Sequence, residues 1–250
     1  MTPINYSFAT HDGKLVPPQL FVLSLIQPIM ILILFNYVFG GAIGKSTSVK
    51  YIDFLLPGIL VQTTLFGALQ AGIGLAQDLS KGAIDRFRSL PIGRSAVLAG
   101  RSISDVMISL VTLLLISAVG GLLGFRYTQG TAYFLEGIVL ALLFGFAINW
   151  VSSCIGLIVR DPEAVQAAGF MWVFPLAFAS SIFSPIETMP HWLQVFARNQ
   201  PVTQVVNALR HLMIGGVPNG SSYVIHSMLW IIGLTSVFAC LAVWKYRKIQ

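Results

Sequence analysis

Few residues in this chain are of types that do chemistry, and their spacing speaks against catalysis. The four histidines, His11, His191, His211 and His226, form no HExxH or comparable metal-ligand pattern. Cys154 and Cys240 each stand inside an apolar run, where a thiol packs as a small hydrophobe. Gly44-Lys45-Ser46 imitates the end of a phosphate-binding P-loop, whose first glycine must precede the lysine by six residues so that backbone amides can wrap a phosphate. That position is Phe39, and no strand precedes it, so no nucleotide site is expected there. Asp53, Asp105 and Glu136 lie near the ends of apolar runs, and no two carboxylates pair in mid-run as a proton relay would need. The expectation is a chain that is not an enzyme and binds no metal or cofactor directly.

The densest group of ionisable residues is an island, KGAIDRFRSLPIGRSAVLAGR, from Lys81 to Arg101. On a helix, Lys81 and Asp85 are spaced i, i+4 and Asp85 and Arg88 i, i+3, so both pairs can meet. Ala83, Ile84, Phe87 and Leu90 gather on another side. Pro91 biases Leu90 out of helical geometry and ends the helix, and Ser95 is placed to cap the next one. The charges alone also suit a solvated loop that only sets orientation, but such a loop could be shorter and irregular. The stripe beside charges suits docking of a soluble partner over region 77–95, with Asp78, Lys81, Ile84, Asp85, Arg86, Phe87, Arg88, Leu90 and Pro91 as its candidate residues. Phe87 and Leu90 would be the apolar anchors, and Asp85, Arg86 and Arg88 the charge partners.

The elements that must position this island belong in a bilayer. The chain of 250 residues is 56% hydrophobic and 10% charged with a mean hydropathy of +0.80, whereas soluble domains are roughly a quarter charged. Its net charge of +6 comes from basic clusters beside apolar runs, a membrane pattern rather than a nucleic-acid one. Crossing a hydrocarbon core of roughly 30 Å takes about 20 apolar residues. Six runs qualify, at 18–39, 55–77, 104–125, 135–159, 164–186 and 222–244, which together make a single all-α transmembrane domain. With both termini cytoplasmic, the inner segments hold Lys14, Lys81, Arg86, Arg88, Arg94, Arg101, Arg160, Lys245, Arg247 and Lys248. The outer ones hold only Lys45, Lys50, Arg126, Arg198 and Arg210, and this bias sets the expected orientation. Gly67, Gly72 and Gly74 would allow close helix approach, and Gln27, Asn36, Gln62, Gln70 and Asn149 would either line a pathway or bond between helices.

After the fifth run, residues 188–216 are too polar to span. Pro190 can start a helix whose Trp192, Val195 and Phe196 share a face, and Asn199, Gln200 and Pro201 break it. Val202, Val205, Val206, Leu209 and Met213 then line one face of a second helix, with Gln204, Asn207, Arg210 and His211 elsewhere on the wheel. Two short amphipathic helices are expected on the outer side, as an interfacial cap or as an exit gate formed by Pro190, Trp192, Phe196, Asn199, Pro201 and Arg210.

Three stretches, KGAIDRFRSLPIGRSAVLAGR, GLIVRDPEAVQ and FSPIETMPHWLQVFARNQPVTQVVNALR, in this order and beside six apolar runs, carry a family resemblance. The chain resembles the permease subunits of ABC-2 type exporters, and most closely the daunorubicin-resistance permeases of that family. The resemblance implies six transmembrane helices in a bacterial inner membrane and two permease copies, as a homodimer or a related heterodimer. Each copy would dock one ABC ATPase subunit, which binds the ATP and Mg²⁺. It places a coupling helix near Gln77 to Pro91 and external re-entrant helices from Pro190 to Gly216. Export of a lipophilic drug, lipid or glycoconjugate by alternating access follows as the implied activity. The competing class, a nucleotide-independent carrier or channel, calls for ionisable residues in mid-span or inverted repeats of broken helices, and neither is evident here.

Overall fold

The computed structural model describes residues 18–43, 50–80, 94–159 and 161–248, with side chains described over 25–41, 50–80, 104–159 and 161–245. Its elements are α1 (Pro18–Ile43), α2 (Tyr51–Ser80), α3 (Arg94–Leu122), α4 (Thr131–Val159), α5 (Pro162–Phe178), a 3₁₀ turn (Ile186–Thr188), α6 (His191–Asn199), α7 (Pro201–Met213) and α8 (Gly220–Lys248). The chain is all-helical, with no strand among the described residues. Four helices are long and apolar enough to cross a bilayer: α2, residues 104–122 of α3, α4, and residues 220–245 of α8. The apolar part of α1, Leu25–Gly41, is shorter.

Helix α2 is the centre of the bundle. Leu55, Leu56, Ile59, Leu60, Val61 and Leu65 are fully buried, and burial of this kind is available to a helix that is apolar on most sides. Its most extensive packing is against α4, where the two backbones almost touch. A Cβ on Gly72 would stand 2.7 Å from the Ser152 carbonyl oxygen, and one on Gly156 would stand 2.7 Å from that of Gly72. Only glycine permits this approach, so the seam is written into the sequence at two positions.

Around α2 the neighbours α1, α3, α4 and α5 follow one another, with α1 on α3, α3 on α4 and α4 on α5. Among the described residues, α5 and α1 do not pack closely on each other, so the ring stays open between them. The short helix α7 packs against α8, α4 and α2 near their N-terminal ends, and α6 rests mainly on α7 and the 3₁₀ turn. That end of the bundle is the cap end. The other end of α2 leads into residues 81–93.

One expected run differs in form. The stretch 164–186 is not a single helix: α5 stops at Phe178, and residues 179–185 turn before the 3₁₀ segment. Asp161 starts α5 by accepting from the Ala164 N–H at 3.2 Å. At its end Pro175 has no N–H to give, and Ser180 diverts the backbone: its hydroxyl donates to Ala177 O at 2.6 Å and accepts from Ile182 N at 3.2 Å. Helix limits elsewhere move by about a turn, with α2 beginning at Tyr51 rather than 55 and α4 at Thr131 rather than 135.

Candidate transport groove and its cap

The break after α5 leaves backbone groups that no helix satisfies, and side chains take them up one by one. Non-helical backbone among membrane helices survives only if its polar groups are paired or face water. Gln200 donates through Nε2 to Ala179 O, and Tyr51 donates its hydroxyl to Phe183 O at 2.9 Å. Thr203 accepts from Ser181 N at 3.3 Å. The Ser181 and Ile182 carbonyls belong to Arg210. Its Nη2 donates to Ser181 O and Ile182 O, its Nη1 to Ser181 Oγ at 3.2 Å and Asn207 Oδ1 at 3.1 Å, and its Nε to Phe54 O at 3.0 Å. The guanidinium also lies 3.5 Å above the centre of the Phe54 ring.

Arg210 is 6% exposed, so it is a buried cation. Among the described residues every hydrogen-bond acceptor it reaches is neutral. Carbonyl dipoles and a ring face therefore offset its desolvation, and its planar set of five donors spans carbonyls that a lysine could not serve together. Gly58 closes the arrangement. A Cβ there would stand 2.5 Å from Ile182 O, so the broken segment lies directly on the second turn of α2.

Away from the cap, the open side of α2 carries Thr63, Phe66, Gly67, Gln70, Gly74 and Gln77, which recur every three or four residues along one face. Gly67 meets nothing within 4 Å of an added Cβ. This face is small and polar with one large apolar residue. The outward face of α8 is of another kind, with Ile225, Leu229, Trp230, Ile232, Val237, Leu241 and Trp244 exposed. Hydrocarbon suits the second face and not the first.

Aromatic rings edge the open side. Phe170, Phe174 and Phe178 follow one another on α5 at centroid distances of 5.3 and 5.6 Å. Phe178 meets Phe183 at 5.4 Å, Phe183 meets Phe35 of α1 at 4.6 Å, and Phe35 meets Phe39 at 5.1 Å. Phe66 of α2 joins Phe174 edge-on at 5.9 Å. Phe174, Phe178 and Phe39 are 43%, 54% and 40% exposed, while Phe35, Phe66, Phe170 and Phe183 are half-buried against the core. The open face of α2, flanked by α1, α5 and this row with the cap at one end, is the candidate groove.

The sequence candidates separate accordingly. Of the possible pathway residues, Gln70 lies on the open face of α2. Gln27 is exposed and Asn36 half-buried on α1. Gln62 and Asn149 are buried inside the chain, and Asn149 donates to Asp105 Oδ2 at 3.1 Å while Ser153 donates to its Oδ1 at 3.3 Å. Asn149 thus bonds between α4 and α3, whereas the buried Gln62 Oε1 meets no donor among the described residues. Asp78 is half-buried near the end of α2, whereas Lys81, Ile84, Asp85, Arg86, Phe87, Arg88, Leu90 and Pro91 lie outside the described residues.

The external candidates divide between two helices. Pro190 precedes α6, Trp192 and Phe196 are exposed on it, and Asn199 at its end donates to Val195 O at 2.8 Å. Pro201 begins α7, which is not an interfacial helix with one wet face: Thr203, Ala208 and Arg210 are buried along with its apolar stripe. Gly215 and Gly216, with φ of 75° and 71°, end it in a conformation other residues resist. Sequence reasoning missed Tyr51, Phe54 and Ser181, whose part in the cap depends on backbone carbonyls. It also missed the ring row, although the i, i+4, i+8 spacing of Phe170, Phe174 and Phe178 was readable.

A profile of the ABC-2 type transporter family matches residues 16–214. The chain belongs to the ABC-2 type transporter family. Among similar proteins, a daunorubicin resistance ABC transporter permease of Streptomyces coeruleorubidus is 35% identical over 236 residues, covering 94% of this chain and 82% of the relative. A probable doxorubicin resistance ABC transporter permease of Mycobacterium tuberculosis is 26% identical over 225 residues, covering 90% and 80%. A putative transport permease of Cyanophora paradoxa is 26% identical over 223 residues, covering 88% and 75%. This is an ABC-2 permease, a transport component, and its apolar helices are those of a multi-pass membrane protein.

Proposed function

We propose that this permease is the membrane half of an ATP-driven exporter, with the groove along α2 as its path and the cap as its exit. The contrast between the small, polar open face of α2 and the apolar outward face of α8 carries the reading. A second permease copy facing the groove would complete a water-accessible conduit and remove Gln70 and Gln77 from lipid. Separate ABC ATPases hold ATP and Mg²⁺ and dock on residues 77–95. Both termini and that docking end lie in the bacterial cytoplasm, and the cap lies outside, as the charge bias of the loops supports. Nucleotide can shift the permease between inward and outward states only if the docking contact differs between the two.

The row of half-exposed rings favours a lipophilic cargo with flat ring systems, since offset stacking on each ring adds about 0.5–1.5 kcal/mol beyond area burial. Relatives named for daunorubicin and doxorubicin resistance support a drug of that kind. The test is co-expression with candidate ATPases, followed by daunorubicin uptake into inverted vesicles. The expected result is uptake that requires ATP and an ATPase that copurifies. Uptake indifferent to ATP would favour the nucleotide-independent carrier, and failure of every ATPase to copurify would sink the coupling assignment.

A further inference from the structure

The polar ties that join the cap region to α2 fall on a single turn of that helix. Tyr51 at the start of α2 binds the carbonyl of Phe183. Asp53 accepts through Oδ1 from the Arg126 N–H at 3.2 Å, holding the loop between α3 and α4. That loop in turn holds the end of α7, where Thr128 donates from its N–H to Met213 O at 3.1 Å and from its hydroxyl to Ile214 O. Phe54 gives both its carbonyl and its ring to Arg210. Three of the first four residues of α2 thus hold three separate pieces of the cap.

The other neighbours of α7 hold it differently. Met213 lies against Gly137 of α4, and His211 against Gly220 of α8. Among the described residues no hydrogen bond joins α7 to either helix. Packing without hydrogen bonds leaves helices freer to slide, whereas the charge-assisted bond from Arg210 Nε to Phe54 O, with the guanidinium over the Phe54 ring, fixes α7 on α2.

Helix α2 is also continuous over 30 residues, about 45 Å at 1.5 Å per residue, from Tyr51 to Ser80. Its far end leads directly into the region read as the ATPase-docking island. We infer that α2 is the rod that carries motion from the docking end to the exit, and that Arg210 is the positioning residue by which the cap follows it. The inference rests on the docking reading of residues 77–95 for its source of motion. It assigns Arg210 no contact with cargo.

The experiment uses the permease with its copurified ATPase in lipid nanodiscs, Cys154 and Cys240 replaced by alanine, and labelled copies diluted into unlabelled ones. Spin labels at exposed Lys50 and Trp192 report the cap against α2, and labels at Trp192 and exposed Ile225 report the cap against α8. Trapping with ATP and vanadate should shift the 192/225 distance distribution and leave 50/192 unchanged. In Arg210→Gln the 50/192 distribution should broaden and the 192/225 response to nucleotide should be lost, with Arg210→Lys in between. Should Arg210→Gln not fold, Tyr51→Phe is expected to give a smaller broadening of the same kind. A 50/192 distance that changes on trapping overturns the rod, as does a 192/225 distance that stays fixed while nucleotide is trapped. An Arg210→Gln protein indistinguishable from wild type overturns the role of Arg210. If no ATPase copurifies, the docking reading fails by itself. The effect of Arg210→Gln on 50/192 in the permease alone then still decides whether the tie exists.

Discussion

The cap and the groove both bring polar groups among membrane helices, and they use them in opposite ways. In the cap the strong donors Arg210, Gln200 and Tyr51 all bind carbonyls of residues 179–183, and the cation is buried in the act. Along the groove Gln70 and Gln77 are exposed, and Gly67 faces open space. Polar groups committed to backbone fix a broken helix in place. Groups left uncommitted on a helix face make that face a poor partner for lipid and a fair one for water and cargo.

The largest effect expected from breaking this contrast is at the cap. Arg210→Met leaves the Ser181 and Ile182 carbonyls without their partner, and each buried group so orphaned costs about 1–3 kcal/mol. Thermal unfolding of the purified permease should fall accordingly, and Arg210→Lys should recover only part of the loss. Next comes the seam between α2 and α4. Gly72→Val must push two backbones apart, so its cost belongs at or beyond the upper end of the about 1–3 kcal/mol of ordinary overpacking. Tyr51→Phe removes one donor from one carbonyl and should lower stability by about 1–3 kcal/mol, less than Arg210→Met in the same assay.

In the groove the order of readouts reverses. The variant Gln70→Leu should leave unfolding within about 0.5 kcal/mol of wild type, because the side chain is exposed, while ATP-dependent daunorubicin uptake falls. The smallest change is expected of Gly67→Ala. With nothing within 4 Å of the new Cβ, it should raise stability by up to about 1 kcal/mol through helix propensity, the opposite sign from its helix-mate Gly72.

Much of the architecture was legible because it follows from local pattern. The all-helical class comes from apolar runs of membrane length, and the parting of α6 from α7 at Gln200 follows from the Asn199-Gln200-Pro201 breaker. The end of α5 was less so: an uncharged run to Ile186 reads as one span, and only the joint action of Pro175 and Ser180 stops the helix at Phe178. Burial of Arg210 was not legible at all. Its acceptors are carbonyls 28 and 29 residues away in sequence, and a carbonyl has no letter in a sequence. The open face of α2 was equally hidden, since that helix is apolar on most sides and its exposure depends on which neighbours leave a gap. The docking island remains a sequence reading, as residues 81–93 lie outside the described ones.

The most direct measurement of the account is cysteine accessibility in intact membranes. In a background with Cys154 and Cys240 replaced by alanine, single cysteines at Gln70 and Gly74 in the groove are compared with cysteines at Leu229 and Ile232 on α8. A charged, water-soluble thiol reagent should modify the α2 positions and leave the α8 positions unmodified. Equal protection of all four positions would mean that lipid or protein fills the open side of α2, and the groove would not be the path.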